Sequence, residues 1–222
     1  MREGRMPLAG KGMLITSMNV DPADEADFNL WYDREHLAER VGIEGFLEAR
    51  RFIADEAPTK YFNTYSTARF EDLDSTVYRK VLASPTEWSK KHMPRFRNFG
   101  RVVGRITVTR GQGRGAALGV VRLRPGAAAA EALRVRLHEL LDPGVLPGII
   151  SLHLVESDAG LSKNLNEPDA PNPGAADWYV LIDGSEKAAV RELMGSRFAA
   201  SGAPVVSTGI YRLLWDLERS DL

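Results

Sequence analysis

The sequence predicts an α+β fold of two tandem βαββαβ units, and three observations carry that prediction. Strand-like and helix-like stretches follow in the order strand, helix, strand, strand, helix, strand, and the order occurs twice. Matching positions are offset by nearly constant amounts: 104 from Leu14 to Leu118, and 103 both from Gly45 to Gly148 and from Val103 to Val206. The offset widens to 117 between Tyr61 and Trp178 and then returns, because each half carries its own insertion. Residues 1–12 read as a flexible N-terminal tail, 13–110 as the first unit, 111–117 as a linker and 118–217 as the second unit.

In the first unit, Met13 to Met18 is an apolar run of strand length that ends at Asn19. Asp21 and Pro22 then stand as N-cap and first helical residue of a helix running to about Arg40, before Gly42. Strands are expected over 46–53 and over 61–70, the latter rich in aromatic and β-branched residues. A helix follows over 72–83, and Ser84 with Glu87 has the spacing of a capping box for a further short helix. The unit closes with a strand over 102–109.

The second unit repeats the plan, with strands over 118–123, 149–155, 178–183 and 206–214. Its helices are expected over 127–141 and from a Ser185 cap to about residue 200. The extra length here is a loop over 157–176, rich in Asn, Asp, Pro and Gly, which reads as a mobile excursion or an inter-subunit arm. The glycine-rich run Gly111 to Gly115 precedes a strand rather than a helix, so it reads as a flexible linker and not as a phosphate loop.

This element order is the ferredoxin-like split-βαβ signature, and each such unit leaves one sheet face to be covered. Two units packed sheet to sheet form a dimeric-α/β-barrel-type arrangement with the helices outside. The pattern is compatible with closure within one chain or with pairing in a homodimer.

Composition narrows the chemistry. The 222 residues are 44% hydrophobic and 27% charged, with a formal net charge of −1, which argues against a general affinity for nucleic acid or anionic membranes. With no cysteine, thiolate metal sites, disulfides and cysteine nucleophiles are excluded. No apolar run approaches the about 20 residues of a membrane span, and the basic opening lacks the apolar stretch of a signal peptide, so a cytoplasmic location is expected. Histidines 36, 92, 138 and 153 match no local metal motif, so no metal is expected. No flavin or nicotinamide fingerprint is visible, and a single histidine is slim support for haem; no cofactor is expected.

The first helix is the most unusual segment. At about 100° per residue, Leu30, Leu37 and Val41 share one side, while Phe28, Trp31, Tyr32, Glu35 and His36 spread over the other. A surface helix needs one apolar stripe, and this one has a second, aromatic stripe holding a carboxylate and an imidazole. Tyr32 and His36, four residues apart, face the same space. That makes His36 a candidate general base or acid, with Tyr32 and Glu35 to orient it. Trp31, Tyr65 and Trp88 are candidate walls for an aromatic substrate, and Trp88 and His92 form a second i,i+4 pair able to reach the same cleft. The bland alternative makes the aromatics core residues and His36 a satisfied helix-end imidazole.

The segment Trp31 to Phe52, WYDREHLAERVGIEGFLEARRF, resembles the helix-to-strand segment of EthD-like and related dimeric α/β-barrel proteins. The resemblance covers residues 13–109 well and the second half by architecture alone. It implies a cleft between helix and sheet, lined by a histidine late in the first helix, and so carries over to His36. It does not name a reaction, because the superfamily spans monooxygenases, cyclases, decarboxylases, isomerases and haem proteins. The second half, whose His138 lacks aromatic neighbours, is expected to have lost any such site.

Residues 88–105 are basic with interleaved aromatics and 21–56 are acidic. Mutual pairing is preferred over nucleic-acid binding for these segments, and an intermediate reading has one of the bases meet a carboxylate on a small substrate. The expected function is therefore a small-molecule-binding protein, a cofactor-independent enzyme acting on an aromatic or oxygenated organic ligand by proton transfer at His36. The alternative is a non-catalytic ligand-binding, accessory or oligomerisation protein of the same fold.

Overall fold

The computed structural model describes residues 10–163, 169, 174–198 and 202–222, and in it eight strands close into one barrel. The strands are β1 (Gly12–Asn19), β2 (Phe46–Glu56), β3 (Tyr61–Thr67), β4 (Arg97–Gly111), β5 (Ala117–Leu123), β6 (Ile149–Ser157), β7 (Trp178–Gly184) and β8 (Val205–Glu218). Their order around the barrel is β1-β3-β2-β8-β5-β7-β6-β4, with antiparallel pairing throughout. Each half contributes four neighbouring strands in the ferredoxin-like order, and the seams are β2 against β8 and β4 against β6. Closure thus takes place inside one chain. It leaves no unpaired sheet edge, which is the usual point of entry for a foreign strand.

Strand alternation decides what each face does. Met13, Ile15, Phe52, Phe62, Leu118, Val120 and Leu181 point inward and pack with their neighbours as the barrel core. The opposite faces carry one helix-to-sheet core per half. In the second half, Leu133, Leu137 and Leu141 of the helical segment lie buried on the sheet, while His138 is exposed.

The first helix, α1, has three consecutive segments: Glu25–Trp31, then Tyr32–His36 with the wide π turn, then Leu37–Val41. The Leu37 N–H reaches the Tyr32 carbonyl, five residues back. One extra residue in a turn advances everything after it by about 100°. This overturns the expected pair of stripes. Leu37 and Val41 join Phe28, Trp31, Tyr32 and His36 on the buried face, and Leu30 is left 48% exposed.

Other boundaries shift for local reasons. Asp21 accepts from the Ala23 N–H and closes a turn, so the helix proper begins at Glu25 rather than at Pro22. The third strand stops at Thr67, and a 3-10 turn over Phe70–Asp74 leads into α2 (Thr76–Ala83), capped by Ser75. The short helix α3 (Glu87–His92) is capped by Thr86, which accepts from the Ser89 N–H, and not by a Ser84–Glu87 box. In the second half, α4 spans Ala130–Leu140 and α5 spans Lys187–Arg197. Ser185 caps nothing; Glu186 holds the N-cap position of α5 without a side-chain bond.

The repeat pair Gly45 and Gly148 has a physical basis: both adopt left-handed backbone, at φ +90° and +77°, in the turn into the second strand of their unit. The 111–117 connection is tied down rather than loose. Arg114 pairs with Glu48 and Glu218, and Gly115 both donates to Asp183 (3.1 Å) and accepts from Arg50 (2.9 Å). The acidic and basic segments pair across the first half: Asp21 with Arg97 (2.9 Å), Asp24 with Arg95, and Asp27 with Lys91 (2.6 Å). Most of the tail expected over 1–12 lies outside the described residues, and Gly12 already belongs to β1. Likewise, of the 157–176 loop residues 164–168 and 170–173 lie outside, as do 199–201 at the expected end of α5. Among the described residues, no helix is long and apolar enough to cross a membrane.

Candidate active site

A cleft opens between α1 and the outer face of β1, β3 and β4. Strand register builds its floor. Leu14 lies opposite Tyr65 on one side and Val103 on the other, and Thr16 opposite Asn63 and Arg101, so these side chains form adjacent rows on one face. From α1 come Tyr32, His36 and Arg40, spaced by four residues across the π turn. Tyr78 and Leu82 of α2, with Met93, Phe96 and Phe99 beyond α3, complete the wall. The cavity is about 60 Å³ and half open. A benzene-sized guest needs roughly 150 Å³, so a substituted ring enters only if the wall moves outward. Phe99, at 37%, is the most exposed large apolar side chain of the wall.

His36 is 9% exposed and sits in an aromatic box. The Trp31 indole lies 4.2 Å from its ring, centroid to centroid, Tyr32 meets it edge-on at 4.9 Å and Tyr65 edge-on at 6.4 Å. Burial, helped by the nearby Arg40 and Arg51 charges, holds its pKa well below the ordinary imidazole value. The imidazole is therefore neutral at physiological pH. Its Nδ1 is buried with no hydrogen-bond partner, and the Glu39 carboxylate stands 3.7 Å away, too far for a bond. Burial raises the pKa of Glu39, and with the imidazole neutral the two groups are not an ion pair.

The phenols are donors held neutral. Burial pushes Tyr65 well above the usual phenol range, with the neighbouring Tyr32 adding to the effect. The Tyr65 hydroxyl is buried beside the Tyr32 phenol, the group it interacts with. Tyr32 is raised by burial too, and its hydroxyl accepts from Asn63 Nδ2 at 3.3 Å. Behind the cleft, Arg51 stacks on Tyr32 at 4.2 Å from the ring centroid and anchors to Asn29 (2.6 Å) and Asp33 (3.1 Å). That cation is the pin between α1 and β2.

Of the residues singled out from sequence, His36, Tyr32 and Tyr65 share the cleft. The others do not line it. Trp31 is fully buried behind His36, with His92 stacked on its far neighbourhood at 5.3 Å. Glu35 accepts from Trp31 Nε1 (3.1 Å) and from the Thr86 hydroxyl (2.5 Å), clamping α1 to the cap of α3. Trp88 Nε1 donates to Asp27 at 3.4 Å, and His92 Nε2 lies 2.9 Å from the same carboxylate. Sequence reasoning missed Arg40, although its place four residues after His36 on the same helix was a usable signal. Arg101 was visible only as one base among several; its guanidinium reaches the cleft while donating to the Leu161 carbonyl at 2.5 Å. That bond, with Leu161 packed on the first core, docks the first turn of the 157–176 loop beside the cleft, so this part is not an excursion. Among the described residues, no three His, Asp or Glu side chains converge as metal ligands.

No protein-family model matches the chain, and no curated protein matches it. Solved structures do. An anthrone oxidase-like protein is similar at a TM-score of 0.65 and 12% identity, over 98% of each chain. A proposed monooxygenase from Fusobacterium nucleatum gives 0.63 and 7% over 95% of each chain. A mutant chlorite dismutase from Candidatus Nitrospira defluvii gives 0.57 and 11% over 93% of this chain and 92% of the other. Likeness at such low identity establishes the fold: a two-repeat chain of ferredoxin-like units in the dimeric α/β-barrel arrangement.

Proposed function

We propose that the protein is a small-molecule enzyme that uses His36 to move a proton on an oxygenated aromatic substrate, without an added cofactor. One observation carries the reading: a buried, neutral imidazole with an unpartnered ring nitrogen faces a cleft walled by aromatic side chains. A satisfied core histidine has both nitrogens paired or wet, and a ring nitrogen left buried and unpaired costs free energy, which supports a functional role. The EthD-like resemblance of residues 31–52 points to the same histidine. The fold is shared with an anthrone oxidase-like protein and a proposed monooxygenase, a class of chemistry in keeping with this reading.

The imidazole takes a proton from an acidic O–H or activated C–H of the substrate, and the electron pair left behind settles on an oxygen conjugated with the ring. Tyr65, kept protonated by burial, donates its O–H to that oxygen. Tyr32 orients the substrate plane and, through Asn63, stays fixed to β3. Trp31, packed behind His36, holds the ring angle.

The test is histidine NMR across pH, wild type against His36→Gln, with and without a panel of aromatic acids and phenols. One imidazole with a depressed pKa is expected; it disappears in the variant and shifts on ligand addition. Turnover of the ligands that shift it is then lost in His36→Gln. An imidazole that titrates freely and ignores every ligand sinks the proposal.

A further inference from the structure

We propose that the cleft takes its aromatic ligand as an anion, with the ionised oxygen seated against the Arg40 guanidinium. This rests on the reading of the cleft as a small-molecule site and adds the charge class of what enters it.

Arg40 is 4% exposed, and its Nη1 is buried with no hydrogen-bond partner. Its Nη2 stands 3.7 Å from Glu39 Oε2, outside hydrogen-bond range, and that oxygen is itself unpartnered. A guanidinium withdrawn from water is normally met by a well-placed carboxylate, and this one is met only at a distance. Among the described residues, the cleft lining holds two charged side chains, Arg40 and Arg101, and no carboxylate. Arg101 donates its Nη1 to the carbonyls of Leu161 and Lys163, so it is engaged in holding the loop. Arg40 is not engaged in that way. It lines the cleft together with His36, Tyr32 and Tyr65. The Tyr65 hydroxyl, beside the Tyr32 phenol, supplies an O–H donor there.

One cation and one O–H donor, surrounded by the rings of Tyr32, Tyr78 and Phe96, suit a planar ring bearing a carboxylate or phenolate oxygen. A neutral ring of the same shape leaves the guanidinium unmet. Hydrogen bonding to a buried charged group sets the expected preference at roughly 10- to 100-fold in Kd.

The experiment compares benzoate with benzamide, a neutral probe of nearly the same shape, by NMR titration at constant ionic strength. Wild type is expected to bind benzoate at least about tenfold more tightly. Arg40→Met should bring the ratio near one, Arg40→Lys should keep part of it, and Arg101→Met should keep most of it. A wild-type ratio near one, or a preference that survives Arg40→Met, overturns the proposal. The wild-type ratio and Arg40→Lys decide the matter if Arg40→Met does not fold. If both probes perturb His36 equally, the anion preference falls while the proton-transfer reading stands. If neither probe binds and His36 titrates freely, both fall.

Discussion

Burial of a neutral His36 makes a quantitative demand on stability. Near pH 8 the imidazole is neutral whether the chain is folded or not, and pH does not act through this residue. Below 6.5 the unfolded chain takes up a proton that the folded one refuses, because burial and the Arg40 and Arg51 charges depress the folded pKa. Stability is therefore lost as pH falls. For an imidazole that stays neutral in the fold, the loss between pH 8 and pH 5.5 is about 1.4 kcal/mol. Burial also lowers the pKa values of His92 and His153, and it raises those of Glu39 and Glu48. A wild-type curve alone mixes all of these contributions; comparison with His36→Gln isolates the one. Urea denaturation of both proteins at half-unit steps should show the variant gaining on wild type by about 1.4 kcal/mol between pH 8 and 5.5. A difference that does not change with pH would falsify the buried neutral state, and with it the base assigned to the cleft.

Three further perturbations separate structural from chemical roles. Glu35→Gln weakens the clamp on Trp31 and Thr86 and should cost about 1 kcal/mol in thermal denaturation, while leaving the His36 titration in place; a displaced His36 pKa would show that Glu35 orients the imidazole after all. Arg114→Ala leaves the Glu48 carboxylate, 3% exposed, without its cation, for a loss of about 3 kcal/mol near neutrality. Burial already raises Glu48, so that loss should shrink as pH falls through its folded pKa and the carboxyl protonates; a loss constant from pH 7 to 4 speaks against a buried charge. Gly45→Ala forces a side chain into left-handed backbone and puts its Cβ 2.5 Å from Asp72 Cγ. A cost of about 2 kcal/mol or more is expected in urea melts, and a neutral result contradicts the turn geometry.

Local chemistry was enough to determine the element order and the two-fold repeat, because periodicity, turn residues and length each leave a mark within a few residues of where they act. His36, Tyr32 and Tyr65 could be singled out as residue types unusual for their place, and the acidic and basic segments as partners for each other. Glu35, Trp31, Trp88 and His92 looked equally good on a wheel, yet they serve the packing of α1 against α3. The π turn separates the two groups: one additional residue rotates the end of α1, buries Leu37, brings Arg40 to the cleft and turns Leu30 to solvent. Its presence depends on how the aromatic face meets the sheet, which no local pattern states. Closure of the barrel inside one chain is decided the same way. The β2–β8 and β4–β6 seams join residues far apart in sequence, and only the folded chain brings their unpaired backbone groups together.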